Sequence, residues 1–399
     1  MFEEPSQFSA SESALGYFYQ IRYALLEVIK QPEDVICHIE KDDDVDFNDP
    51  EEGRILASLK HKVPGDTLTD LSPDFWKSVR IWLTDYLKDP NSVIPTRYYL
   101  VTTGRVQISS LLGAFLPNTQ KPEDLSIKIA KTLARSDSKT IKKTSDLLAT
   151  LAKDKWVDFF RRITIFDQQE RINEIPQLII EAALRSVRPK FRQSVYQRLE
   201  GWWVNACIEL LTQRRREPFR GGEIWEMISA ISEQFRDDNL PIDFEKSEPA
   251  DGINPESDDR YFVKQLRAIG LKSDRITRAI LDYYRASAQR SAWLRESVTL
   301  DGELEIYDDR LVDEWGRIKE ITFEDLKDDA PEELLQQSGR KLLNALSTGD
   351  RLNLRIRRDV AQVFVTTGSY HILANDEAPR VYWHPRFTER VAEIIGRNA

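Results

Sequence analysis

The sequence predicts an α/β domain followed by a mainly α-helical domain, and three observations carry that reading. Over residues 1–170, short apolar or β-branched runs alternate with amphipathic helical stretches. From Asn173 onward, apolar residues recur at helical spacing almost without interruption. The chain has 399 residues, 41% hydrophobic and 31% charged, which gives the length for two or three domains and the composition of a globular protein. The expected division is therefore residues 1–170 and residues 171–399.

Ser9 to Lys30 reads as a helix. Ser9 or Ser11 can cap it, Leu15, Phe18, Tyr19, Ala24, Leu25 and Val28 fall near helical spacing, and Gln31-Pro32 breaks it. Val35 to Glu40 alternates as a strand, Asn48 to Gly53 is turn-rich, and Arg54 to Lys60 is the next strand, so the two strands are expected to pair as a hairpin. Pro73 opens a helix that carries Trp76, Val79, Trp82 and Leu83. Arg97 to Thr103 is a third strand, residues 106–155 read as helical, and Arg162 to Phe166 is a fourth strand. In the second part, Val195, Leu199, Trp202, Trp203, Ala206 and Leu210 share one helix face. The acidic stretch 241–260 reads as a linker or insertion, and 303–326 leaves room for a short strand or loop. Glu332 to Leu346 is helical, while 361–374 fits strand or helix because of Val363-Phe364-Val365.

A net charge of −10 argues against a protein that coats nucleic acid over its whole surface, although the local field decides what a site can bind. Residues 1–60 carry 14 acidic and 5 basic side chains, whereas residues 121–162 carry 11 basic and 6 acidic ones. The second segment can contact phosphates or form a solvated helix face. No apolar run approaches the roughly 20 residues that span a bilayer, and the N-terminus has no signal-peptide pattern. Cys37 and Cys207 lie far apart in apolar surroundings, which fits a reduced, cytoplasmic setting with no membrane partner.

The chemistry concentrates in Glu40-Lys41-Asp42-Asp43-Asp44, a carboxylate-rich strand end, followed by the apolar strand that carries Ser58-Leu59-Lys60. Hydrolysis of a phosphodiester by a metal enzyme needs a cation, oxygen ligands to hold it and a positive group to orient water or stabilise charge. Mg²⁺ keeps several waters, so one or two carboxylates suffice, and Mn²⁺ can replace it. In an extended segment the spacing of Glu40 and Asp44 puts both on one face. Asp44 and Glu40 are then the metal ligands, the Leu59 carbonyl can complete the coordination, and Lys60 is the catalytic lysine, with Lys62 as the alternative. Ser58 faces the same way as Lys60, and alternation turns His61 away. Taken alone, Asp42 to Asp46 also reads as a solvated acidic turn.

These residues resemble the nuclease superfamily whose signature is Asp, a variable gap, then Glu or Gln, any residue and Lys, the PD-(D/E)xK group. They look more closely like the endonuclease domain of bacterial antiphage effectors. One set is the nuclease effectors of cyclic-oligonucleotide signalling. The other is the nuclease subunit of Lamassu-type systems, which have three components including an SMC-like ATPase. Gly16-Tyr17-Phe18-Tyr19-Gln20, Glu40, Asp43-Asp44-Val45, Leu59-Lys60-His61, Leu68-Thr69-Asp70 and Trp76-Lys77 carry this resemblance. The chain departs from the signature at Ser58, where Glu or Gln is usual, and Glu40 is the residue that can compensate. The second half resembles the C-terminal domain of the SMC-associated nuclease subunit through Leu199-Glu200-Gly201-Trp202-Trp203, Asp282-Tyr283-Tyr284-Arg285, Gln289 to Trp293, Gly368 to His371 and Tyr382 to Pro385.

The resemblance implies a restriction-endonuclease-like first domain with Gln20, Asp43 and Ser58 in support of Asp44, Glu40 and Lys60. It implies a Mg²⁺-dependent endonuclease of double-stranded DNA, held inactive by an SMC-like ATPase subunit and a third small subunit, and oligomeric when active. Trp202 and Trp203 are the interface candidates. A catalytically decayed DNA-binding adaptor and an RNA-targeting nuclease are the alternatives.

Overall fold

The computed structural model describes residues 10–49, 53–90, 94–107, 109–348 and 354–395. Ser9, offered as a helix cap, and residues 50–52 of the expected turn lie outside them. The chain divides into two compact units, Met1–Ile231 and Ser232–Ala399.

In the first unit the described elements run α1 (Ala10–Lys30), β1 (Ile36–Ile39), β2 (Val45–Asp49), β3 (Gly53–Lys60), β4 (Thr67–Leu68), α2 (Pro73–Tyr86), β5 (Arg97–Thr102), β6 (Arg105–Val106), α3 (Leu125–Leu133), α4 (Lys139–Ala149), α5 (Lys153–Arg161), β7 (Ile163–Phe166), α6 (Ile175–Ala183), α7 (Arg192–Leu211), β8 (Phe219–Arg220) and α8 (Gly221–Glu233). Among the described residues they build a six-stranded sheet in the order β7-β5-β3-β2-β1-β8. β3, β5 and β7 are parallel, while β1, β2 and β3 form an antiparallel meander.

Both faces of the central strands are covered, so β3 is buried along almost its whole length instead of alternating. On one face Leu56, Tyr98, Leu100, Ile163 and Ile165 pack with Phe75, Trp76, Val79, Trp82 and Leu83 of α2 and with residues of α3, α4 and α5. On the other lies α1, which packs on β1, β3, α6 and α7.

Three expectations for this unit need correction. The strands at 36–39 and 54–60 do not pair with each other, because Val45–Asp49 forms a strand between them. Its carboxylates masked it: Asp46 is buried, but Arg54 of the neighbouring strand offsets its charge. The unit does not end near residue 170. α6 and α7 are needed to cover α1, and Trp203 of α7 is fully buried there, its Nε1 donating to the Ile21 carbonyl at 2.8 Å while its ring packs on Phe219. Trp203 is therefore a core residue and not an interface candidate; Trp202 beside it is half-buried. β8 is a strand the sequence reading missed; it adds to the sheet edge, and its seat requires Gly221, where a Cβ would come within 2.7 Å of the Pro32 carbonyl oxygen. Cys37 and Cys207 are both buried and free, and burial pushes the Cys207 thiol up to about 12.

The second unit contains α9 (Tyr261–Ala268), α10 (Ser273–Arg295), α11 (Glu303–Phe323), α12 (Glu332–Ser347), α13 (Val363–Leu373) and α14 (Val391–Ile395). The stretch 303–326 is helical as far as Phe323 rather than strand or loop: Leu304, Tyr307, Leu311 and Trp315 form a buried stripe at spacings of three and four. The ambiguity at 361–374 resolves as helix, and α13 had no readable period because it is buried nearly all round. Its Gly368 lies against α10, where a Cβ would be 2.5 Å from that of Ala286. The acidic stretch 241–260 is not a linker. Fully buried Gln289 accepts from the Asp243 and Phe244 backbone N–H groups at 2.7 and 3.2 Å, and both Gln289 and Trp293 donate to the Pro241 carbonyl.

Candidate active site

The site forms where β1 turns into β2, beside the end of β3. The turn is closed by the Glu40 N–H donating to the Asp44 carbonyl at 3.1 Å, with Glu40 in the left-handed region at φ 53°. Expectation had Glu40 and Asp44 on one face of an extended strand; the turn brings them together instead. Left-handed backbone is costly for a residue with a Cβ and persists where its surroundings hold it.

Asp44 is the hub. Its Oδ2 accepts from the Leu59 backbone N–H at 2.6 Å and from Lys60 Nζ at 3.1 Å, with Ser58 Oγ at 3.5 Å. The Lys60 carbonyl accepts from Thr103 N on the β5 side. Strand alternation therefore turns the Leu59 N–H and carbonyl toward β2 and Asp44. Glu40 stands close enough for its carboxyl to be pushed up, by partial burial and then by the Asp44 charge, while Lys60 and a hydrogen bond from Gln20 of α1 oppose this. Glu40, Asp44, Leu59, Lys60, Ser58 and Gln20 are thus brought together.

Asp43 points away from this group. Its carboxylate accepts from Trp82 Nε1 at 2.5 Å and from the Asp44 N–H at 2.9 Å, which pins the turn to α2. Burial, then the Asp44 charge, raise it to about 6. Asp46 below it accepts from the Asp43 N–H at 3.2 Å and is also raised to about 6 by burial, against the pull of Arg54. Arg54 joins Asp46 to Asp42 and Asp85 at 3.3, 2.5 and 3.0 Å. Ser58 is fully buried and accepts from Ser78 Oγ of α2 at 2.8 Å. The sequence reading missed Trp82, Ser78 and Arg54. Ser78 and Trp82 share a helix face by their spacing of four, and that was the available signal.

Lys62, the alternative lysine, is ion-paired with Asp74 of α2 and stands outside the group. His61 faces the other way, its ring 5.0 Å from that of Tyr19 on α1. Among the described residues, no group of three or more His, Cys, Asp or Glu side chains is placed to hold a metal ion. No helix among them is long and apolar enough to cross a membrane.

Residues 262–391 match the family described as C-terminal domain 7 of the ABC-three component (ABC-3C) systems. This stretch spans α9 to the start of α14 and supports membership of the chain in an ABC-three component system. It includes four of the segments singled out above, and they meet inside the second unit: Asp282 accepts from Thr367 Oγ1 at 2.8 Å, Arg290 donates to Ser369 Oγ at 3.1 Å, and the His371 ring lies between those of Phe262 and Trp383. No curated protein matches the chain. Among solved structures, the chain is similar to a Cap4 SAVED/CARF-domain containing receptor of Moraxella osloensis, at 11% identity and a TM-score of 0.34, over 69% of this chain and 68% of that one. The corresponding receptor of Acinetobacter baumannii with the cyclic trinucleotide 2'3'3'-cAAA matches at 11% identity and a TM-score of 0.33, over 66% and 59%. Similarity at this level carries no argument about the site.

Proposed function

We propose that the chain is a metal-dependent endonuclease of double-stranded DNA, the effector subunit of a Lamassu-type ABC-three component antiphage system. The observation that carries this reading is the Asp44 carboxylate held between the Leu59 N–H and the Lys60 ammonium, with Glu40 beside it. The order helix, three antiparallel strands, helix, parallel strand supports the restriction-endonuclease-like expectation.

The residues fit a hard divalent cation. Glu40 and Asp44 put two carboxylates against one lysine, a net negative charge that a cation offsets. Mg²⁺ or Mn²⁺ would be held by Asp44, Glu40 and the Leu59 carbonyl, with water completing the shell. When bound, the cation supplies polarisation of the phosphate and a lowered water pKa. Lys60 donates one N–H to Asp44, which leaves two for a phosphate oxygen or the attacking water. Ser58, Asp43 and Gln20 hold the ligands in place. Residues 262–391 would dock on the SMC-like ATPase and the third small subunit, and self-association would bring two active sites to one duplex.

The test is plasmid cleavage by the purified full chain with Mg²⁺, alone and with its partner subunits, beside Lys60→Ala and an EDTA control. Cutting that is lost in both controls is expected. Metal-independent cutting, or Lys60→Ala cutting like wild type, refutes the reading. DNA binding without cutting in the full complex selects the adaptor, and preference for matched RNA selects the RNA nuclease.

A further inference from the structure

A groove of about 700 Å³ opens beside α3 in the first unit, and its wall includes Ser110, Gln120, Lys128, Lys131, Thr132 and Arg135. Lys128, Lys131 and Arg135 are exposed; the first two lie three residues apart on α3, Arg135 stands in the turn just past its end, and all three line the groove. Lys128 pairs with Asp124 at 2.9 Å on the open surface, a contact of little energy that a stronger ligand can displace. Among the described residues neither Lys131 nor Arg135 has a carboxylate partner. Asp70 also reaches the groove, but its Oδ1 already accepts from Ser110 Oγ and the Leu111 N–H, both at 2.6 Å. This is a local positive field with hydroxyl and amide donors, on a chain whose net charge is −10.

Its position ties it to the candidate active site. Lys60 pairs in register with Thr102 of β5, and Val106, four residues further on, is part of the groove wall. At roughly 3.3 Å per residue, and about 4.8 Å between paired strands, the Val106 edge of the groove is at most about 18 Å from Lys60. A duplex carries about one charge per 1.7 Å of axis, so several phosphates lie within that distance of one held at Lys60.

We propose that this groove binds the phosphodiester backbone of duplex DNA flanking the cleavage position, through Lys128, Lys131 and Arg135. The proposal rests on the nuclease reading for its substrate, and the groove is a second binding site, separate from the Asp44–Lys60 group.

The experiment measures affinity of the full chain for a labelled DNA duplex across a salt series in EDTA, so that no cutting intervenes. Three neutralising changes, Lys128→Gln/Lys131→Gln/Arg135→Gln, should lower the slope of log K against log salt by about 2.7, at about 0.9 per phosphate contact. Lys139→Gln/Lys142→Gln/Lys143→Gln on α4 makes the same charge change on exposed residues outside the groove and should leave the slope unchanged. An unchanged slope in the α3 variant, or an equal loss in the α4 variant, overturns the proposal. A slope change seen only with duplex RNA overturns the assignment to DNA. Lys60→Ala in the cleavage assay keeps the two readings apart, since normal cutting there refutes the nuclease site whatever the α3 slopes show.

Discussion

Asp44→Ala tests the centre of the argument without needing activity. The substitution removes the acceptor of the Leu59 N–H, and Leu59 is only 4% exposed. A buried donor left unpaired costs about 1–3 kcal/mol. The Lys60 contact adds less than about 1 kcal/mol, because both side chains keep about a fifth of their surface in water. The sum is about 1–4 kcal/mol, and at roughly 2–4 °C per kcal/mol for a unit of this size the melting temperature should fall by about 2–16 °C. Differential scanning calorimetry in EDTA gives this number. The scan is then repeated with Mg²⁺. At about ten times the dissociation constant a bound cation stabilises the wild type by about 1.4 kcal/mol, and the Asp44→Ala protein should gain nothing. Lys60→Met, which keeps the Leu59–Asp44 bond, should melt within about 1 kcal/mol of the wild type. An Asp44→Ala protein as stable as wild type in EDTA would show that the carboxylate does not hold the strand end. Equal stabilisation of both proteins by Mg²⁺ would place the cation elsewhere.

Four further outcomes are expected. Asp46 is raised to about 6, so its carboxyl holds a proton more tightly folded than unfolded; the stability this gives is present below about pH 4 and is lost as pH rises through about 6. Asp46→Asn should therefore gain on the wild type by up to roughly 3 kcal/mol between pH 4 and 7 in denaturant titrations, and parallel pH curves would contradict this. Ser58→Glu should destabilise the first unit and not tighten Mg²⁺ binding by calorimetric titration, because Ser78 Oγ of α2 occupies the space at 2.8 Å; tighter binding would show that the pocket can open. Trp203→Ala should cost about 3–5 kcal/mol in monomer stability, with Trp202→Ala costing much less, and similar losses would mean the two rings are equally packed. Gly368→Ala should cost at least 1–3 kcal/mol in the second unit by forcing α13 off α10, which a wild-type melting curve would refute.

How far the sequence could be read follows from what each element shows along its own length. Helices with one dry face, such as α2, showed their period. So did the strand ending at Lys60, whose apolar run was long enough to stand out from its flanks. β2 was hidden because its inward face carries Asp46, whose burial depends on an arginine contributed by the next strand. No local pattern announces a carboxylate paid for by a neighbour in the sheet. β8 was hidden because two residues carry no period, and α13 because a helix buried nearly all round shows little of one. At the candidate site, the sequence singled out Asp44, Lys60 and Glu40, which the structure brings together, but not the geometry that does so. The left-handed turn at Glu40 and the α2 side chains that lock Asp43 and Ser58 depend on contacts between elements distant in sequence.

The serine at position 58 is the point where sequence and site argue most directly with each other. A carboxylate or amide there would project from β3 alongside Lys60, into the face covered by α2. Ser58 is 1% exposed, and its hydroxyl lies between Ser78 Oγ at 2.8 Å and Asp44 Oδ2 at 3.5 Å. A side chain two carbons longer would displace α2 from a core that holds Trp76 and Trp82. The small residue is therefore set by the packing of α2, and a second carboxylate for the proposed cation would have to come from elsewhere. Glu40 is the one the turn delivers, on the exposed side of Asp44 where α2 imposes no limit, and its strained backbone is what that placement costs. On this reading the departure from the usual nuclease signature moves a ligand from the strand to the turn. The serine alone is then no evidence of a decayed site, and loss of Mg²⁺ binding in Glu40→Gln would identify Glu40 as the relocated ligand.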